Sequence, residues 1–107
     1  MKYNYYEEMK KDIKNYLEEN YEADDIITFD EVYDDMFIDD SITGNGSGSY
    51  TFSRYQAEEN ICHNMNLVGE AYAEFGSTPD FENPEAMDVT VRCYLLGQVL
   101  TEVLEER

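Results

Sequence analysis

Apolar residues recur at helical spacing in the first third of the chain. In residues 3–20 the apolar stripe consists of Tyr6, Met9, Ile13, Tyr16 and Leu17. Steps of three and four residues place these side chains on one side of an amphipathic helix. A shorter apolar stripe follows and ends near residue 39; it consists of Val32, Tyr33, Met36 and Phe37. The pattern therefore predicts two helices before the middle of the chain.

Residues that favour helix starts precede two of the apolar stretches. Thr28 stands three residues before Glu31, which is the spacing of a capping box. Ser53 and Gln56 repeat this spacing at the start of a third apolar stretch. We therefore expect helices to begin just after Thr28 and just after Ser53.

Two further helical regions are predicted in the second half. The third region ends at Gly76, a natural C-terminal stop, and Asn64 and Asn66 favour a bend or break inside it. The last region starts near Pro84, since proline suits the first position of a helix. Its apolar stripe consists of Val89, Cys93, Leu96, Leu100 and Leu104. This stripe predicts a long C-terminal helix.

These patterns predict a mainly α fold. We expect residues 1–107 to form a single acidic domain, a small bundle of four to five helices. A chain of this length can bury one core. A short β-ribbon within the glycine-rich segment 41–52 is an open alternative, although glycine weakens strand pairing.

Charge narrows the range of partners. The chain has 25 acidic and 7 basic residues, which gives a net charge of -18. Such a protein repels nucleic acid and anionic membranes and favours basic proteins. The sequence contains neither a signal-peptide pattern nor an apolar run long enough to span a membrane. We therefore expect a cytoplasmic protein with reduced thiols.

The glycine-rich segment lacks the residues of two ligand-binding loops. A phosphate-binding P-loop requires a lysine, and residues 44–53 contain none. An EF-hand register that starts at Asp39 places Tyr50 at the twelfth position, where calcium needs a glutamate. We therefore expect no cofactor and no metal, and a small calcium- or ligand-binding domain is kept as a third alternative.

No set of residues indicates catalysis. His63 directly follows Cys62, and adjacent helical side chains diverge, so the two cannot share a metal. We expect both Cys62 and Cys93 to be small core residues and Arg92 to pair with an acid. With 25 acids in the chain, no carboxylate stands out as a general acid or base. An enzyme is therefore not expected.

The acidic residues between Asn15 and Ser53 are the main functional candidates, because no Lys or Arg interrupts them. Asp30 with Asp34, and Glu31 with Asp35, are like-charged helical neighbours that repel each other. Carboxylates about 5–6 Å apart along a helix can imitate a row of phosphates. The predicted partner-binding residues are Asp30, Glu31, Asp34, Asp35, Asp39, Asp40, Asn45 and Tyr50.

Two blocks of sequence carry a resemblance. The segments DSITGNGSGSYTFSRYQAEENI and DVTVRCYLLGQVLTEVL resemble small acidic hypothetical proteins of Firmicutes phages and conjugative elements. The likeness covers roughly residues 39–105 and brings no established activity with it. The chain is also similar to DNA-mimicking anti-CRISPR and anti-restriction inhibitors in being small and acidic, although it shares no sequence motif with them. The resemblance implies a mobile-element origin and transfers no binding residue.

The leading hypothesis is a non-catalytic inhibitor from a mobile genetic element. It would bind a basic nucleic-acid-binding host defence protein, such as a CRISPR effector nuclease, without contacting nucleic acid or membrane itself. The alternative is a structural or adaptor module that assembles through apolar helix faces, in which case a homo-oligomer is expected.

Overall fold

The computed structural model describes residues 4–39, 42–44 and 53–107. Its helices are α1 (Tyr5–Asn20), α2 (Phe29–Phe37), α3 (Arg54–Cys62), α4 (Met65–Phe75) and α5 (Pro84–Glu105). The described residues contain no strand, and the predicted mainly α bundle is confirmed. Most of the 41–52 ribbon prediction lies outside the described residues; residues 42–44 form a turn and a bend.

Helix α5 is the centre of the fold. The other four helices all pack against it, and α3 also packs against α4. Its fully or nearly buried apolar residues are Met87, Val91, Leu95, Leu96, Val99, Leu100 and Val103. They extend well beyond the predicted stripe, because a helix surrounded by others buries most of its circumference.

Helix α1 packs much as its sequence predicts. Met9, Ile13 and Leu17 are buried against α5. The stripe begins at Tyr5, whereas the predicted Tyr6 is half-buried. Tyr5 occupies the interior because its hydroxyl finds a buried partner on α5, described below.

The predicted helix starts after Thr28 and Ser53 and the predicted end at Gly76 are confirmed, but the Thr28 capping box is wrong. The Ser53 hydroxyl oxygen accepts a hydrogen bond from the Gln56 backbone N–H at 3.2 Å. Gly76 ends α4 with a φ of 68°, in the left-handed region that favours glycine. Thr28 does precede α2, but its side chain makes no capping hydrogen bond to Glu31. Thr28 is exposed, so water can satisfy the first N–H groups of α2.

The predicted break in the third helical region separates α3 from α4. Helix α3 ends at Cys62, and the chain leaves helical geometry at Asn64, where the backbone ψ is 39°. The Asn64 amide nitrogen donates to the Asn60 carbonyl oxygen at 2.7 Å. The Asn60 carbonyl oxygen thus accepts from a side chain instead of from the Asn64 backbone N–H, its partner in a continuous helix.

A charged pair lies inside the core. Arg92 and Asp88 are each only 1% exposed, and the Arg92 Nε lies 3.3 Å from the Asp88 Oδ1. The expected pairing of Arg92 with an acid is confirmed. Asp88 lies one turn into α5, which starts at Pro84.

The Asp88 carboxylate ties α5 to α1, and Asn60 of α3 lies nearby. The Tyr5 hydroxyl of α1 donates to its Oδ1 at 2.5 Å, and the Arg92 guanidinium lies 5.3 Å from the Tyr5 ring centroid. On α3, the buried Asn60 accepts a hydrogen bond from Gln56 at 2.9 Å. Burial raises the pKa of Asp88, while Arg92, Tyr5 and Asn60 all act in the opposite direction.

We predict strong coupling within the buried pair. Arg92→Met leaves the Asp88 charge buried without its cation, so the free energy of unfolding should fall by about 3–5 kcal/mol. Adding Asp88→Asn removes that charge, and the double variant should be more stable than Arg92→Met alone. Urea denaturation of the two variants measures both values. A double variant that is no more stable than Arg92→Met alone would contradict the coupling.

Two glycines should respond in opposite directions to alanine. Gly69 lies inside α4, and an added Cβ would meet no atom within 4 Å. Gly69→Ala should therefore raise the free energy of unfolding by about 0.5–1 kcal/mol. Gly76→Ala should lower it by about 1 kcal/mol, because an L-residue is strained at positive φ. Thermal denaturation tests the pair, and two changes of equal sign would contradict the account.

Candidate functional site

Helix α2 presents most of the predicted acids. Val32 and Met36 are completely buried and fix this nine-residue helix on α5. The opposite side of α2 faces solvent. All four of its acids are exposed, namely Asp30, Glu31, Asp34 and Asp35. The structure therefore brings half of the predicted partner-binding residues together on one short helix.

The four acids form two rows. Side chains four positions apart share one side of a helix, so Asp30 lies beside Asp34 and Glu31 beside Asp35. The second row lies toward α1, where burial and the Asp35 charge raise the pKa of Tyr16. The first row lies on the other flank of α2. Negative charge consequently covers the whole exposed side of the helix.

The second row continues onto α1. Asp39, half-buried after the end of α2, lines a groove of about 380 Å³ with Asp12 and Glu19 of α1. Burial raises the pKa of Asp12, which the charge of Arg92 opposes. Sequence reasoning missed Asp12, although its seven-residue separation from Glu19 places the two on one side of a helix. The acidic surface therefore spans two helices.

The remaining predicted residues are Asp40, Asn45 and Tyr50, and all three lie outside the described residues. The described turn at residues 42–44, between Asp40 and Asn45 in the sequence, is held by buried contacts. Thr43 is completely buried, and its hydroxyl donates to the Phe37 carbonyl oxygen at 2.7 Å. Ile42 is also buried. This turn joins the glycine-rich segment to the C-terminal end of α2.

Most of the described cations are engaged elsewhere. Lys10 pairs with Glu102 at 3.3 Å and with Glu106 at 2.9 Å. Arg54 pairs with Glu58. Arg107 donates to backbone carbonyl oxygens of the α1–α2 connection. Across residues 4–39, 42–44 and 53–107, no ion pair includes an acid of α2.

An aromatic groove lies on the other flank of α2. The Phe29 and Tyr33 rings stack with centroids 4.9 Å apart, and the Phe75 and Tyr94 rings meet edge to face at 6.4 Å. The groove has a volume of about 390 Å³, with α2 and α4 as its walls and α5 as its floor. The sequence does not reveal it, because only the packing decides which side of α5 stays uncovered.

The two cysteines have different environments. Cys93 lies at the floor of the aromatic groove and is buried, and burial raises its pKa to about 11. Cys62 is exposed, so the expectation that it is a core residue is wrong. The adjacent Ile61 takes the inward position on α3 and turns Cys62 toward solvent.

We predict that the two thiols react at very different rates. At pH 8 a thiol with a pKa of about 11 is ionised about a hundredfold less than an ordinary one. Cys93 should therefore react with Ellman's reagent at least about a hundredfold more slowly than Cys62, and its rate should rise up to about pH 11. A Cys62→Ser variant isolates the slow phase. Equal rates would contradict the assignment.

Metal binding and membrane insertion find no structural support in the described part of the chain. There, no three His, Cys, Asp or Glu side chains converge in a way that could hold a metal. None of the described helices combines the length and apolar character needed to span a bilayer. In the calcium-loop register, the first position, Asp39, is among the described residues, and the twelfth position, Tyr50, lies outside them.

The comparisons with known proteins leave the surface geometry as the main guide to function. No protein-family model matches the chain, and no match is found among curated proteins or solved structures.

Proposed function

We propose that this protein is a non-catalytic inhibitor encoded by a mobile genetic element. In this proposal it binds a basic nucleic-acid-binding host defence protein, such as a CRISPR effector nuclease, and occupies the surface that would hold nucleic acid. The observation that carries the proposal is the pair of acidic rows on α2, which are exposed and have no described cationic partner.

The geometry suits imitation of a phosphate backbone. Carboxylates in each row lie about 5–6 Å apart at their Cβ atoms. Nucleic acid likewise presents closely spaced negative charges to basic proteins. Because Val32 and Met36 hold α2 on the central helix, the carboxylates are displayed on a rigid support. Little conformational entropy is then lost when a partner binds.

The proposed contact surface is larger than α2. On one side it continues to Asp39 and the α1 residues Asp12 and Glu19, which line the same groove. Asp40, Asn45 and Tyr50 complete the proposed surface by their sequence positions. Its net charge favours rapid association that weakens with added salt.

An adaptor function is the second candidate, and a separate observation favours it. Tyr55, Met65 and Phe81 are large side chains that remain exposed around α3 and the start of α4 and α5. Assembly through such side chains would be insensitive to salt. Self-association through α2 is disfavoured, since each copy carries a net charge of -18.

Charge reversal tests the proposed function. The variant carries Lys at Asp30, Glu31, Asp34 and Asp35, and its control carries Lys at the exposed Glu18, Glu70, Glu82 and Glu105. Both variants have the same net charge. Binding to guide-loaded CRISPR effector nucleases, measured by biolayer interferometry, should weaken about a hundredfold or more for the first variant and much less for the control.

The salt dependence completes this test. Wild-type affinity should fall steadily between about 50 and 300 mM NaCl, because the paired charges are screened. Equal affinities of the reversed and control variants would contradict binding through α2. A salt-insensitive oligomer in sedimentation, without nuclease binding, would favour the adaptor instead.

A further inference from the structure

The aromatic groove beside α2 has the shape of a helix-binding surface. Helices α2 and α4 both pack on α5 and have no mutual contacts among the described residues, so a channel stays open between them. Its walls carry Phe29 and Tyr33 on one side and Phe75 on the other. A third helix placed in this channel would bury these rings against α5, as amphipathic helices do in apolar grooves.

The floor of the channel carries a glycine against which the two α2 rings lie. Gly97 of α5 contributes no side chain, and a Cβ placed there would lie 3.9 Å from both the Phe29 and Tyr33 rings. Cys93 and Gln98 complete this part of the floor. Phe75 remains 51% exposed at the end of α4, although its ring meets Tyr94. Apolar side chains of a partner could therefore reach aromatic surface without displacing a helix.

The rim of the channel is acidic. On α2, Asp30 and Asp34 lie on the exposed side of the helix, about 100° around its axis from the Phe29 and Tyr33 rings, and are therefore nearer the channel than Glu31 and Asp35. Glu74 of α4 lines the opposite wall. No Lys or Arg is among the described lining residues.

Charge decides between the candidate occupants. A second copy of this chain would bring acidic rims together, and its net charge of -18 opposes that contact. A neutral apolar segment would fill the floor but leave the rim carboxylates without partners. A helix with an apolar stripe flanked by Lys and Arg satisfies both the rings and the rim.

We infer that the channel between α2 and α4 binds a basic amphipathic helix of the protein partner. Apolar side chains of that helix contact Phe29, Tyr33 and Phe75, and its cations contact Asp30, Asp34 and Glu74. This inference rests on the proposed function in that the partner is the basic protein bound by α2. It adds that the two acidic rows differ: Glu31 and Asp35 lie on the flank away from the channel.

A peptide probe tests the docking directly. The probe is a peptide of about 18 residues with Leu and one Trp on a helical stripe and Lys elsewhere. A shuffled peptide of the same composition, without a stripe, is the control for charge alone. Since the protein contains no Trp, the emission of the peptide Trp reports burial without background. The striped peptide should bind with a blue shift, and the shuffled peptide should bind at least about tenfold more weakly.

Matched variants locate the binding site. Phe75→Ser should weaken striped-peptide binding about tenfold. Phe81→Ser is the matched control, because the two rings are similarly exposed, at 51% and 59%, and Phe81 does not line the channel; it should leave binding unchanged. Gln98→Lys places a cation in the channel at an exposed position and should also weaken binding, which covers the case in which Phe75→Ser fails to fold. Asp34→Lys should weaken binding several-fold more than Asp35→Lys.

The thiol at the floor gives a second readout. In a Cys62→Ser background, bound striped peptide should slow the reaction of Cys93 with a thiol reagent about fivefold or more, because the peptide covers the channel. Equal effects of Phe75→Ser and Phe81→Ser, or unchanged Cys93 reactivity with peptide bound, would overturn the inference.

The outcomes for the channel and for the proposed function are distinguishable. If Phe75→Ser and Gln98→Lys bind the nuclease as wild type does while reversal of the α2 acids abolishes binding, the channel inference fails and the proposed function stands. If the striped peptide protects Cys93 but the α2 reversals leave nuclease binding unchanged, the proposed function fails and the channel remains a docking site for basic helices.

Discussion

The packing of four helices around α5 is the constraint on which the rest of the structure depends. Helix α5 has 22 residues and is buried along most of its length. Because α5 supplies apolar surface on several sides, a helix as short as α2 can be held by Val32 and Met36. The remaining positions of α2 are then available for charge. The same arrangement leaves one side of α5 open between α2 and α4.

This arrangement explains how the chain tolerates strong local repulsion. The like-charged neighbours on α2 each oppose helix formation by a few tenths of a kcal/mol. Burial of one large apolar side chain stabilises the fold by about 1.5–3 kcal/mol, which exceeds that cost. Tertiary packing therefore keeps α2 helical. The unneutralised acids are a cost to stability, which is why we connect them with binding.

Local signals in the sequence account for most of the helices. Periodic apolar residues such as Met9, Ile13 and Leu17, together with the Ser53 cap and Gly76, act over a few neighbouring residues. The buried bond between Tyr5 and Asp88 joins positions 83 residues apart, and no local pattern indicates it. The exposure of Cys62 likewise depends on which side of α3 meets α5.

The candidate site was predictable to a similar extent. The exposure of Asp30, Glu31, Asp34 and Asp35 follows from the helical pattern of α2. The contribution of Asp12 depends on how α1 and the end of α2 are placed around the core, and the aromatic channel depends on the separation of α2 from α4. Such features arise from packing between elements, which single-sequence periodicity does not describe.

We propose that the acidic surface occupies the place of nucleic acid on its partner. The most direct measurement is displacement of a fluorescently labelled target DNA duplex from a guide-loaded CRISPR effector nuclease, followed by anisotropy. We expect the wild-type protein to displace the DNA competitively, so that a higher DNA concentration raises the amount of protein required. A ternary complex in which the nuclease holds both the DNA and this protein without loss of anisotropy would contradict it.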